Sequence, residues 1–222
     1  MSRLRCLPSR QQGTALLEFQ IVALLGALPV FLGTLQLFLL LLAAHTVQFA
    51  TVQSARAGSV HGADPAALKR AFTVGLLPLH AASSEEPTSG NILPVVAAAW
   101  AKASAEGLAF ADVEILSPDA GAFADFATPG PDGPAIRNDG LEGRSVTRGA
   151  RSGLSIQEAN LLRIRARWCQ PAIVPFAGAA LVTTLRWLDA DPFSQRCYVA
   201  GRIPLSGTAT VNMQSDVRYV GG

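Results

Sequence analysis

The sequence has 222 residues, of which 50% are hydrophobic and 15% charged, with a formal net charge of +2. Ordinary soluble domains carry about 25% charged residues, so this composition favours a membrane segment joined to a domain of about 160 residues. Arg3, Arg5 and Arg10 lie in the first 13 residues, and without them 15 basic residues remain against 16 acidic ones. A nucleic-acid-binding protein would keep a clustered basic face, so the composition argues against that class.

The first segment is a basic leader that ends at Gly13, followed by an apolar stretch from Ala15 to Ala44 that is interrupted by Glu18. Ile21 to Ala44 contains no charge. Because about 20 apolar helical residues cross a bilayer, this stretch predicts a single transmembrane helix. The basic leader predicts that the N-terminus stays in the cytoplasm. The downstream domain is then expected in the periplasm, if the cell is Gram-negative.

Two other interpretations of this segment stay open. A secretory signal peptide has an apolar core of about 7–15 residues and a small-x-small cleavage site. Ala43-Ala44 could serve as that site, although the apolar run is about twice as long. The second alternative is a plain signal-anchor that is never processed.

The helix is predicted to continue beyond the membrane, because no proline occurs from His45 through Val60. A continuous helix from about residue 15 to 60 would be about 70 Å long at 1.5 Å per residue. Gly62 and Asp64-Pro65 then supply a stop and a new helix start. We therefore expect a leader over 1–13, a transmembrane and stalk helix over 14–62, and a separate domain over 63–222.

The junction Gly-Thr-Ala-Leu-Leu-Glu-Phe at 13–19 resembles a class III (type IV-like) prepilin signal. Such signals have a glycine before the cleavage site, a glutamate at the fifth mature position and an aromatic residue at the sixth. With the long helix and Ala-Arg-Ala-Gly at 55–58, the segment is similar to the TadE-like pseudopilins of tight-adherence (Flp) pilus systems over about residues 10–62. Phe19 stands where a tyrosine is common. TadF-like and TadG-like identities stay open, because the downstream domain could not be matched.

The resemblance implies that a prepilin peptidase cleaves between Gly13 and Thr14 at the cytoplasmic face of the inner membrane. It also implies that Glu18, with Phe19 beside it, acts in assembly. A bare carboxylate is costly in lipid, and the new Thr14 amine of a neighbouring subunit would supply its partner. The implied partners are the peptidase, other pilins or pseudopilins, and the inner-membrane assembly platform, with incorporation into the pilus left open. In the alternative interpretation Glu18 only extends to the lipid headgroups.

The downstream domain is predicted to be α+β, with helices beside an antiparallel sheet of about three strands. Its first half predicts helices over 65–77 and 92–105, the second anchored to the core by Trp100, and a strand over 112–116. The stretch from 117 to 153 is rich in Gly, Pro and Asp. It predicts a long, irregular and mobile excursion.

The second half predicts a strand over 161–169, a core helix within 171–189 and a strand over 199–214. Arg163, Arg165 and Arg167 alternate on the outer face of the first strand, which indicates a solvated face or a docking surface. An exported domain with two cysteines favours a disulfide between Cys169 and Cys197. The alternative is two buried free thiols.

The sequence offers little catalytic chemistry. The three histidines are scattered, and the pair Asp189 and Asp191 suits loop capping better than a calcium site. We therefore predict no enzymatic activity and no cofactor. The two functional hypotheses are a processed pseudopilin that supports pilus assembly, and a signal-anchored periplasmic binding or enzymatic domain unrelated to pili.

Overall fold

The structure is a computed structural model that describes residues 14–81, 92–130 and 133–218. It contains a long N-terminal helix and a head of mixed helices and strands with small antiparallel sheets. The predicted α+β class and the long apolar helix are confirmed at this level.

The N-terminal helix is continuous over Thr14–Val60. It consists of α1 (Thr14–Val22), a π-helical turn (Ala23–Ala27) and α2 (Leu28–Val60). The π turn lies just before Pro29, whose ring and missing N–H disturb the regular i→i−4 bonds of the preceding turn. The helix ends where Gly62 and Ala63 adopt positive φ angles of 66° and 63°.

The remaining elements follow in chain order. The first are α3 (Pro65–Gly75), α4 (Leu77–Ala81), α5 (Ile92–Phe110) and β1 (Ala111–Ser117). Next come α6 (Ala120–Phe126), β2 (Thr128–Gly130), β3 (Gly133–Ile136), a 3-10 turn (Leu141–Gly143) and α7 (Ile156–Ala159). The last are β4 (Leu161–Pro171), α8 (Ala177–Leu188), α9 (Pro192–Val199), β5 (Arg202–Asn212) and β6 (Val217–Arg218).

The main sheet has the order β1-β4-β5 and is antiparallel throughout. Its central strand, β4, pairs with β5 along all 11 of its residues. The apolar residues that alternate along β4 are buried: Leu162, Ile164, Ala166 and Trp168. The predicted strand and its buried face are confirmed.

The second half of α2 belongs to the core of the head, whereas the sequence predicted a stalk emerging into water. The sheet and α3 pack against it. Its buried residues recur at helical spacing: Ala43, Val47, Ala50, Thr51, Ser54, Ala55 and Gly58. Most of them are small, and small side chains let strands approach a helix closely. The second half of α2 is therefore packed with the elements that follow it.

Four further expectations need correction. Residues 117–153 are not wholly irregular, because β2 and β3 form a hairpin that β6 extends into a second sheet. Trp100 does not anchor α5, since it is 38% exposed while the small Ala99 and Ala103 are buried. The helix within 171–189 buries only Gly178 and Val182. A short helix, α9, occupies 192–199, so the last long strand begins at Arg202.

Candidate functional site

The residues implicated by the sequence lie at the first end of the long helix. Gly13 lies outside the described residues. Thr14 begins α1, and Glu18 and Phe19 follow in it with exposed side chains. Within the described part of the chain, no side chain forms an ion pair or hydrogen bond with Glu18. The carboxylate is therefore available to a partner from outside this chain.

The first part of the helix exposes large apolar side chains on all its faces. They are Leu16, Leu17, Phe19, Ile21, Val22, Leu24, Leu25, Leu28, Val30 and Phe31. The first fully buried side chain of the helix is Gln36, which is only 2% exposed, although Leu32 and Gly33 before it are already partly covered. Residues 14–35 thus form an uncovered apolar rod about 33 Å long at 1.5 Å per residue. This matches a bilayer hydrocarbon core of about 30 Å.

The uncovered rod differs from the predicted span of Ile21 to Ala44. The head already packs on the helix at Gln36 and Ala43, so those positions are not free to face lipid on every side. The sequence could not reveal this, because small apolar residues suit a protein core as well as a membrane.

Among the residues that the structure describes, two helices are long and apolar enough to cross a membrane, the one containing Leu16–Val60 and α5. α5 contains Lys102 and Glu106 and packs on α3, α4 and β1. The part of the N-terminal helix before Gln36 exposes large apolar side chains over most of its surface, so this helix is the better candidate for a membrane anchor.

The head is held tightly on the second half of the helix. The Gln48 side-chain amide donates to the carbonyl of Thr208 at 2.9 Å, and the Ser54 hydroxyl donates to the carbonyl of Leu68 at 2.8 Å. At Gly75 in α3, a Cβ would lie 2.5 Å from Cα of Ala50, so only glycine permits this approach. These contacts make the helix and head one packed unit from about residue 36 onward.

Two of the three arginines on β4 pair with carboxylates across the sheet. Arg165 lies 2.7 Å from Glu114, and Arg167 lies 2.6 Å from Asp112. The hydrogen bond from Arg165 to Glu114, with the attraction between their charges, raises the pKa of that guanidinium. The alternation of acids along β1 could have revealed these cross-strand pairs in the sequence. They make this face a set of neutralised pairs, which supports the solvated-face interpretation.

Asp189 and Asp191 cap the turn that leads into α9. Asp191 accepts a hydrogen bond from the backbone N–H of Ser194, and this bond lowers the pKa of the Asp191 carboxyl. The hydroxyl of Tyr198 donates to Asp189 at 3.2 Å. Burial, together with this bond, raises the pKa of Tyr198 to about 12. The two aspartates therefore have structural partners of their own.

Cys169 and Cys197 lie at disulfide distance, with Cα atoms 5.3 Å apart. Cys169 is in β4 and Cys197 in α9, and both are buried against Phe193 and Phe110. The pair thus joins α9 to the sheet.

No protein-family model, curated protein or solved structure matches this chain.

Proposed function

We propose that this chain is a TadE-like minor pilin or pseudopilin, a structural subunit that takes part in assembling Flp or type IV-like pili for adhesion or biofilm formation. One observation carries the proposal. A bare apolar rod begins with the prepilin-like junction, bears one unpaired carboxylate, Glu18, and runs directly into the packed head.

The position of Glu18 supports a role in assembly. The carboxylate lies four residues after Thr14, at the start of the apolar rod. A lone carboxylate near lipid is costly, and a cation from a neighbouring subunit would offset that cost. Processing at Gly13-Thr14 would create such a cation, the new amine of Thr14, within about 6 Å of that level along the helix of a neighbouring copy.

The proposed location is the inner membrane, crossed once, with the N-terminus in the cytoplasm and the head in the periplasm. The basic leader supports this orientation. The proposed partners are a prepilin peptidase, other pilins or pseudopilins, and the inner-membrane assembly platform. The proposed role is structural and not catalytic.

The decisive experiment concerns the bond between Gly13 and Thr14. The full chain is expressed with and without a prepilin peptidase, and its mass and N-terminal peptide are read by mass spectrometry. We expect loss of residues 1–13 only when the peptidase is present. Gly13→Val is the control, because a bulky side chain at the cleavage position should block processing.

Two other outcomes separate the alternatives. An intact Met1 in the presence of an active peptidase would indicate an unprocessed signal-anchor. Cleavage near Ala44 would indicate a secretory signal peptide. Either result contradicts the pseudopilin proposal.

A further inference from the structure

The head carries an exposed apolar surface that the prepilin-like junction does not account for. Phe176, Trp187 and Leu188 are 84%, 88% and 78% exposed. Between residues 172 and 188 the only charged residue is Arg186. An exposed apolar surface of this kind marks a site of contact with a protein or a membrane. We call α8 together with the preceding Phe176 the α8 surface.

We propose that the α8 surface inserts into the outer leaflet of the bilayer that the N-terminal helix crosses, as a second membrane contact that does not span. This inference rests on the membrane-anchor part of the proposed function. It is independent of processing by a peptidase and of pilus assembly.

α8 lies beside the rod. An apolar groove of about 730 Å³ separates the two helices. The long helix lines this groove with Leu24, Leu28 and Leu32 of the rod and with Leu37 just beyond it, and the head lines it with Phe176, Ala177, Ala180, Leu181 and Thr184. A helix that lies beside Leu24–Leu37 is surrounded by the same medium, water or lipid, as those residues. If that part of the rod is in lipid, the α8 surface is in lipid too.

The position of α8 along the long helix also indicates the depth of the α8 surface in the bilayer. Measured from Thr14 along the helix axis, residues 24–37 lie about 15–35 Å away. With a hydrocarbon core of about 30 Å, this range corresponds to the outer half of the bilayer and its surface. The α8 surface is therefore at the level of the outer leaflet.

Two hydroxyl groups of α8 have hydrogen-bond acceptors within the helix. The hydroxyls of Thr183 and Thr184 donate to the carbonyls of Ala179 and Ala180 at 2.8 and 2.9 Å. These bonds within the helix reduce the cost of placing a hydroxyl in lipid.

The order of residues at the C-terminal end of α8 is typical of a segment that leaves a membrane. Arg186 and Trp187 are adjacent, and both types favour the interface, where arginine extends its charge to the headgroups and tryptophan lies at their level. Asp189 and Asp191 follow at once. The chain thus changes from apolar to acidic where it would leave the bilayer.

Lipid fits this surface better than a second protein does. The exposed apolar residues of the rod occur at nearly consecutive positions and so cover every face of the helix. A protein partner would cover one face, whereas lipid surrounds all of them. The α8 surface continues that uniform apolar environment.

The test uses an environment-sensitive fluorescent probe attached to single cysteines in the full chain. The background is Cys6→Ser, labelled without reductant so that Cys169 and Cys197 stay paired. Probes are placed by Phe176→Cys and Trp187→Cys, which alter exposed side chains only. Leu25→Cys is the reference for the rod. Val146→Cys is the aqueous reference, since it is apolar and 75% exposed but lies on the segment before β4.

The labelled proteins are placed in nanodiscs of phosphatidylethanolamine and phosphatidylglycerol, and quenching by doxyl-labelled lipid and by iodide is measured. We expect the Phe176 and Trp187 probes to be quenched by doxyl lipid, as the Leu25 probe is, and the Val146 probe not to be. Their quenching by iodide should be several-fold weaker than that of the Val146 probe.

Three results would overturn the inference. Iodide quenching equal to that at Val146, with Leu25 still quenched by lipid, means that the α8 surface is in water although the anchor is in the membrane. Protection from both quenchers means that a protein, such as a second copy, covers the surface. A Leu25 probe that is quenched by iodide and not by doxyl lipid would show that the rod is not in the membrane, and the inference would then be wrong as well.

Discussion

The side-chain oxygen of Gln36 accepts a hydrogen bond of 3.0 Å from the backbone N–H of Val174, which lies 138 residues further along the chain. Both residues are buried. This bond ties the segment before α8 to the long helix and marks the level at which the uncovered rod becomes part of the head.

Replacement of Gln36 by leucine should loosen this junction. Gln36→Leu leaves a buried N–H without an acceptor, which costs about 1–3 kcal/mol. We expect faster amide hydrogen exchange at Val174 and a lower free energy of unfolding. The same substitution at exposed Gln20 is the matched control. Unchanged exchange at Val174 would show that the Gln36 side chain does not hold the segment.

The contact between Gly75 and Ala50 gives a second test of the packed head. Gly75→Ala forces the two helices apart, since the new Cβ would lie 2.5 Å from Cα of Ala50. Overpacking of this kind costs about 1–3 kcal/mol. Gly143→Ala is the control, because nothing lies within 4 Å of its added Cβ. Equal unfolding midpoints for the two variants would contradict the close approach of α3 to α2.

The cysteine pair should contribute to the stability of the head. Linking Cys169 to Cys197 closes a loop of 28 residues, which in the chain-entropy model contributes about 3–4 kcal/mol. The variant with both cysteines replaced by serine should lose about that much in chemical denaturation, whereas Cys6→Ser should lose nothing. Free thiols at both positions in the unreduced protein would exclude the bond.

Much of this fold could be predicted from local patterns. The alternation along β4 required burial of Leu162, Ile164 and Trp168, and the carboxylate of Asp64 before Pro65 predicted a helix start. In the structure Asp64 accepts hydrogen bonds from the backbone N–H groups of Ala66 and Ala67. In both cases the cause lies within a few residues of its effect, which is why a single sequence sufficed.

The remaining features depend on contacts between distant segments. The described part of β6, Val217–Arg218, is short, and its pairing with β3 carries no local pattern. The burial of Gln36 depends on Val174, and the exposure of Phe176 depends on where α8 meets the rod. The sequence identified Glu18 as a candidate site, but it could not show that the head begins 18 residues later.

The stability of the head should fall in mild acid because of His80. This buried imidazole packs edge-on against Trp168, with ring centroids 5.8 Å apart. Burial lowers its pKa from 6.5, nearby Lys102 and Arg202 lower it further, and Glu106 opposes them. Because the pKa is lower in the folded state, the unfolded chain binds more protons below about pH 6.5. Stability is therefore full above that pH and declines as the pH falls.

The measurement is the unfolding midpoint between about pH 7.5 and pH 5, above the range in which carboxylates titrate. His80→Phe should remove part of the decline seen in the wild type. His61→Gln, at an exposed histidine, is the control for loss of an imidazole elsewhere in the chain. An identical decline in the His80→Phe variant would assign the effect to another group.

The last prediction concerns Glu18, which lies 18 residues, or about 27 Å, before Gln36 along the helix. Glu18→Ala leaves the apolar rod and Gly13 unchanged, so membrane insertion and processing should proceed nearly as in the wild type. Surface pili should be lost, because the Thr14 amine of a neighbouring subunit no longer has a carboxylate to pair with. Glu18→Gln keeps the shape and removes the charge, so it should fail in the same way.

The readouts are the membrane-bound, processed protein by immunoblot and the pili sheared from the cell surface. Gln20→Ala is the matched control, because it removes an exposed polar side chain two residues away without changing the charge. Wild-type piliation in the Glu18→Ala variant would show that the carboxylate only reaches the headgroups. Loss of the processed protein from the membrane would instead show that Glu18 acts in insertion or cleavage, before any subunit pairing.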